Sequence, residues 1–299
     1  MRLCRFQCPG QPARIGLATD DERLLDLTPA GVNSLAGLLE LEAAELAGRL
    51  IEWARPGRLP VLEPASVRLL CPIETQEVWA AGVTYLRSKQ ARMDESEFSA
   101  TAYDRVYEAA RPELFFKSLP GKAVGPLDPI GVRTDSTWSV PEPELALVLN
   151  SRGAVVGYTI GNDVSARDIE GDNLLYLPQA KIYDGSCALG PWIRVGVDEA
   201  TARTWTVSLT IERAEQAVVR GTTRIERIRR GFEELAGWLF EAQRFPGGAV
   251  LLTGTGIVPP DDFTLEAGDR VWIEISSLGA LVNPVVRVGR RGPERPGSC

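Results

Sequence analysis

The chain has 299 residues, 44% of them hydrophobic and 24% charged, proportions that suit a soluble globular enzyme of one large or two unequal domains. A net charge of −7 counts against nucleic acid or an anionic membrane as a partner and leaves a small molecule as the fitting ligand. Histidine is absent, which removes the commonest general base and every Ser-His or Cys-His arrangement, so proton transfer must fall to Glu, Asp, Lys or Tyr.

In chain order, the start at Met1 to Phe6 is interrupted by Cys8-Pro9-Gly10 before any signal-type apolar segment develops. No later run has the length of a membrane helix, so a cytoplasmic location is expected. Short strands are predicted between Arg14 and Leu27. A helix follows with Leu35, Leu38, Leu39, Leu46 and Leu50 on one side and Ser34 as its N-cap. After a proline-containing run to Pro72, residues 78–85 read as a strand entering a loop, and a polar helical stretch continues through Tyr107. We therefore expect a small N-terminal domain over residues 1–71 and a strand-rich domain over 72–299. Residues 145–149 and 155–160 read as buried strands and residues 205–211 alternate as a half-buried one. A late amphipathic helix is predicted to carry Ile225, Ile228, Phe232, Leu235 and Leu239. Cys4, Cys8, Cys71, Cys187 and Cys299 are odd in number and scattered, which favours reduced thiols over disulfides or zinc.

The chemistry concentrates around Glu142-Pro143-Glu144, Asp163 and Lys181. In a strand, residues two apart point the same way, so Glu142 and Glu144 face one side, while Pro141 and Pro143 stiffen the backbone. Asp163, at the end of the next strand, can complete a set of hard oxygen ligands suited to Mg²⁺ or Mn²⁺. Two spaced glutamates also occur on many solvated strand edges, but these adjoin apolar runs, and buried carboxylates need a cation or a proton. Lys181 follows Pro178 and alone would suit a surface turn. Beside a divalent ion its affinity for a proton falls, and it can serve as a base.

The run from Gly157 to Asp168, Gly-Tyr-Thr-Ile-Gly-Asn-Asp-Val-Ser-Ala-Arg-Asp, resembles the signature of the fumarylacetoacetate hydrolase family, and the likeness continues through Pro178-Gln179-Ala180-Lys181 and Thr253-Gly254-Thr255. The resemblance implies an α+β, mainly β fold: a mixed β-roll with a small N-terminal α/β domain. It implies Mg²⁺, with Mn²⁺ or Ca²⁺ as substitutes, held by Glu142, Glu144 and Asp163. It further implies a homodimer or homotetramer and substrates that are 2-oxo acids or acylpyruvate-like diketones.

One departure matters. Hydrolase and decarboxylase members have a His followed shortly by Glu after the strand that ends Gly-x-x-Tyr. Here that region reads Gly82-Val83-Thr84-Tyr85-Leu86-Arg87 and offers neither in that arrangement. Carbon–carbon hydrolysis loses support, and residues 82–85 and 111–117 are similar instead to a branch that dehydrates 2-keto-3-deoxy sugar acids. That likeness implies Lys181 and Glu113 as the acid–base pair, in either order, and Thr255 as a contact for the substrate carboxylate. The glycines flanking Thr255 would let backbone amides approach an anion. Glu113 after Arg111-Pro112 would equally suit the first turn of a helix. Arg87, Ser165, Ser186 and Cys187 are further candidates to contact substrate, with Arg167 and Asp168 as supports. Two other readings stay open: a metal-dependent diketo-acid hydrolase recruiting Glu95 or Glu97, and a non-catalytic sugar-acid binding protein.

Overall fold

The computed structural model describes residues 1–21, 23–86 and 105–290. Its centre is an eleven-stranded mixed sheet in which Pro143–Leu149 and Val155–Asp163 pair antiparallel, flanked by Ala249–Thr255 on one side and Cys187–Val195 on the other. Ala249–Thr255 then pairs in parallel with Glu77–Gly82, and that strand antiparallel with Glu113–Ser118. At the other end Arg2–Gln7 joins Cys187–Val195, so the sheet runs unbroken across residue 72. A five-stranded sheet, including Thr206–Arg213 and Gly279–Val288, and a small two-stranded pairing complete the described β-structure.

Both faces of the large sheet are covered, and the Pro143–Leu149 strand shows how. Leu145, Leu147 and Leu149 enter one core with the five-stranded sheet and the helix Phe232–Phe240, while Ala146 and Val148 enter another with the N-terminal leucines. The two-residue period of a strand sends alternate side chains to opposite faces, which is why this run is apolar throughout. Each fully buried leucine here contributes about 1.5–3 kcal/mol.

The predicted N-terminal helix is two helices, Leu35–Leu39 and Ala43–Trp53, because Glu42 takes an extended backbone between them. Ser34 caps the first, accepting from the Gly37 N–H. The late helix spans only Phe232–Phe240: Ile225 and Ile228 are buried through a 3-10 turn, Ile225–Arg227, ahead of it. Most of the polar stretch expected up to Tyr107 lies outside the described residues. The fold is α+β and mainly β, and among the described residues no helix is long and apolar enough to cross a membrane.

Candidate active site

Adjacent strands deliver the carboxylates. Glu144 lies near the start of Pro143–Leu149 and Asp163 ends Val155–Asp163, with Pro143 opposite Asn162 in register. Glu142 precedes its strand and is fixed by backbone bonds, its carbonyl accepting from the Asp163 N–H at 3.0 Å and its N–H donating to Asn162 Oδ1 at 3.2 Å. All three are buried, and one oxygen from each lies within 4.8 Å of the others. Burial, reinforced by Asp163 and Glu142, holds the Glu144 carboxyl well above the usual carboxylate range. Its Oε2 accepts from the Gly254 N–H at 2.6 Å. Gly254 has φ +86, and a Cβ there would sit 2.2 Å from Thr84 Oγ1, so only glycine brings this amide to the carboxylate.

Three buried cations answer the acids. Lys181 closes the short helix Leu177–Lys181, and its Nζ donates to Glu142 Oε2 at 2.7 Å, Asp163 Oδ2 at 3.0 Å and Ser165 Oγ at 2.6 Å. Arg167 donates to Glu142 Oε1 at 2.9 Å. Lys117, fully buried, pairs with Asp163 Oδ1. Asp168 faces away from the cluster, accepting from Ser136 Oγ and from the N–H and hydroxyl of Thr137. Burial opposes its charge, but these bonds prevail and hold its carboxyl below the usual range.

A cleft opens over the cluster, lined by Ala81, Gly82, Val83, Glu113, Phe115, Glu142, Glu144, Asp163, Glu170, Lys181, Gly254 and Thr255. Glu113 stands on the strand Glu113–Ser118, not in a helix, because pairing with Glu77–Gly82 claims its backbone. A Cβ on Gly82 would lie 2.1 Å from Glu113 Oε2, so this glycine makes the space in which the carboxyl sits. The structure thus gathers Glu113, Glu142, Glu144, Asp163, Lys181 and Thr255 at one cleft. Ser165 touches it through Lys181. Ser186 and Cys187 are buried and absent from its lining: the Ser186 hydroxyl donates to the Lys181 carbonyl at 2.8 Å. Arg87, Glu95 and Glu97 lie outside the described residues.

Sequence reasoning assigned no role to Lys117 or Glu170. For Lys117 the sequence carries no clear signal, because its pairing with Glu77–Gly82 shifts register between Phe116 and Ser118 and interrupts the two-residue period. For Glu170 the signal was the spacing from Arg167, one helical turn.

The donor set, three buried carboxylates converging beside a hydrogen-bonded lysine, fits a hard divalent ion such as Mg²⁺. Residues 77–286 match the family model for the fumarylacetoacetate (FAA) hydrolase C-terminal domain, and the chain belongs to this family. It is 42% identical over 281 residues to a probable 2-keto-3-deoxyxylonate dehydratase of Haloferax volcanii, covering 91% of this chain and 95% of that one. It is also 42% identical over 222 residues to the 2-dehydro-3-deoxy-D-arabinonate dehydratase of Saccharolobus solfataricus, covering 73% and 74% of the two chains. Among solved structures, a 2-keto-3-deoxy-D-arabinonate dehydratase complexed with magnesium and 2,5-dioxopentanoate superposes with a TM-score of 0.78 at 33% identity, covering 97% of this chain and all of that one.

Proposed function

We propose that this protein is a magnesium-dependent hydro-lyase that dehydrates a 2-keto-3-deoxy pentonate to 2,5-dioxopentanoate. The observation that carries this reading is the buried carboxylate trio with Lys181 bonded to two of its members, in a chain 42% identical over nine-tenths of its length to such a dehydratase. Glu142, Glu144 and Asp163 would hold Mg²⁺, which when bound supplies electrophilic polarisation of the substrate's 2-oxo and carboxylate oxygens.

The remaining work belongs to side chains. Thr255, which lines the cleft beside the carboxylates, contacts the substrate carboxylate. Lys181, the amine that lines the cleft and is bonded to two members of the trio, removes a proton from carbon 3. Glu113, on the facing wall, delivers the proton with which the carbon 4 hydroxyl leaves as water; the carboxylate it becomes then takes a proton from carbon 5, carbon 3 regains the proton held by Lys181, and the resulting enol becomes the aldehyde as its O–H proton is replaced by one at carbon 4. Phe115 and Val83 supply apolar wall that keeps bulk water off this side. The missing histidine disfavours a diketo-acid hydrolase, since among the described cleft residues no imidazole is present to activate water. We further propose a cytoplasmic homodimer or homotetramer, checked by light scattering, with residues 1–71 as a small N-terminal domain whose strands extend the catalytic sheet.

The test is to incubate the protein with Mg²⁺ and 2-keto-3-deoxy-D-arabinonate, with and without a chelator, beside Lys181→Ala and a diketo acid. Aldehyde formation that disappears with chelator and in the variant is expected. Cleavage of the diketo acid with the sugar acid untouched would establish the hydrolase instead, and binding without turnover would indicate a sugar-acid binding protein.

A further inference from the structure

Two lysines lie against Asp163, and their surroundings differ. Lys181 lines the cleft, whereas Lys117 does not: its side chain is wholly buried behind the carboxylates. The strand Glu113–Ser118 explains the separation, because it presents Glu113 and Phe115 to the cleft and then shifts register against Glu77–Gly82, leaving Lys117 between the paired Phe116 and Ser118 and buried. There Lys117 Nζ meets three oxygens: Asp163 Oδ1, the Val164 carbonyl at 3.0 Å and the Lys181 carbonyl at 2.6 Å.

We propose that Lys117 is the positioning residue of the proton transfer at carbon 3. It fixes the backbone from which Lys181 springs and one oxygen of Asp163, so that Lys181 Nζ meets the other oxygen. This rests on the dehydratase reading for the identity of the substrate, but not for the geometry. Its partners are all elements of the reacting cluster: the carboxylate of one candidate ligand, the peptide next to it and the peptide of the base. The Lys181 carbonyl has a second clamp, the Ser186 hydroxyl at 2.8 Å. A base carried at the end of a five-residue helix needs such a hold, because misplacement by about 1 Å can cost roughly 100-fold in rate.

The experiment compares wild type, Lys117→Met, Lys117→Gln and Ser186→Ala. Four quantities are read: Mn²⁺ affinity by electron paramagnetic resonance, thermal stability, exchange of the substrate carbon 3 protons with deuterated water, and aldehyde formation. For Lys117→Met we expect exchange and kcat to fall together by about 100-fold, with KM and Mn²⁺ affinity within about threefold of wild type. Lys117→Gln, which keeps two donors, should recover part of the exchange, and Ser186→Ala should lose about threefold to tenfold. A crystal structure of Lys117→Met should show Lys181 Nζ displaced from Asp163. Unchanged exchange in Lys117→Met or Lys117→Gln, or loss of exchange only in proportion to lost fold and metal binding, overturns the proposal. If Lys117→Met does not fold, Lys117→Gln and Ser186→Ala decide on the same criteria. A wild type that exchanges carbon 3 protons but makes no aldehyde refutes the dehydratase reading, and the exchange comparison then still decides for or against Lys117.

Discussion

The strand Pro143–Leu149 passes through two regions built on opposite principles. From Leu145 onward its side chains enter apolar cores on both faces, where any hydrophobic group of the right volume is acceptable. At its start, Glu144 joins Glu142 and Asp163 in a buried cluster of charges, where identity and position matter and volume matters little. In the first region function and stability are separate; in the second they oppose each other, because Lys181, Arg167 and Lys117 answer Glu142 and Asp163 while burial and its two acidic neighbours disfavour the charge of Glu144.

Glu144→Gln breaks the comparison most sharply. It should reduce Mn²⁺ affinity and turnover by about 100-fold or more, while removing a carboxyl held well above its usual range. The metal-free protein should then gain stability, with Tm higher by roughly 2 °C, in calorimetry run with chelator present. A fall in Tm would show that the cluster is stabilising even when empty. Leu147→Ala, on the same strand as Glu144 and fully buried, should do the reverse. It should lose about 3–4 kcal/mol in urea titrations, with kcat per folded molecule nearly unchanged.

Asp168→Asn tests the margin between the two regions. Its carboxylate is held below the usual range by Ser136 and Thr137, so its contribution is complete above the unfolded value near pH 4 and lost as pH falls through the lower folded value. The variant should be less stable by about 1–2 kcal/mol at pH 7, with the gap closing below about pH 4. The smallest effect is expected from Leu46→Met on the helix Ala43–Trp53, less than about 1.5 kcal/mol and no change in KM.

How far these regions are legible in the sequence follows from the same contrast. The acids and Lys181 stand out because charges interrupt apolar strands, and the run 157–168 carries the family likeness. Lys117 is hidden because Phe115-Phe116-Lys117 reads like the end of a strand reaching water, and only the pairing with Glu77–Gly82 turns it inward. The break between Leu39 and Ala43 is invisible to periodicity, since Leu38, Leu39, Leu46 and Leu50 keep helical spacing across it and all enter one core. Arg2–Gln7 is a strand despite two arginines because Leu3, Cys4 and Phe6 are all buried by neighbours distant in sequence.

That first strand has a consequence for how the molecule comes into being. Leu3 pairs with Leu17 on one side and with Ile193 on the other, so the opening segment finds Arg14–Ala18 early but must wait for nearly two-thirds of the chain before its second edge meets the strand that begins six residues after Lys181. Loop closure over such a span is slow and leaves unpaired strand edges exposed in the meantime. Pulse-labelled exchange during refolding should therefore find the Arg2–Gln7 amides that face Cys187–Val195 protected later than those that face Arg14–Ala18, and a chain started after Gln7 should be aggregation-prone rather than merely less active.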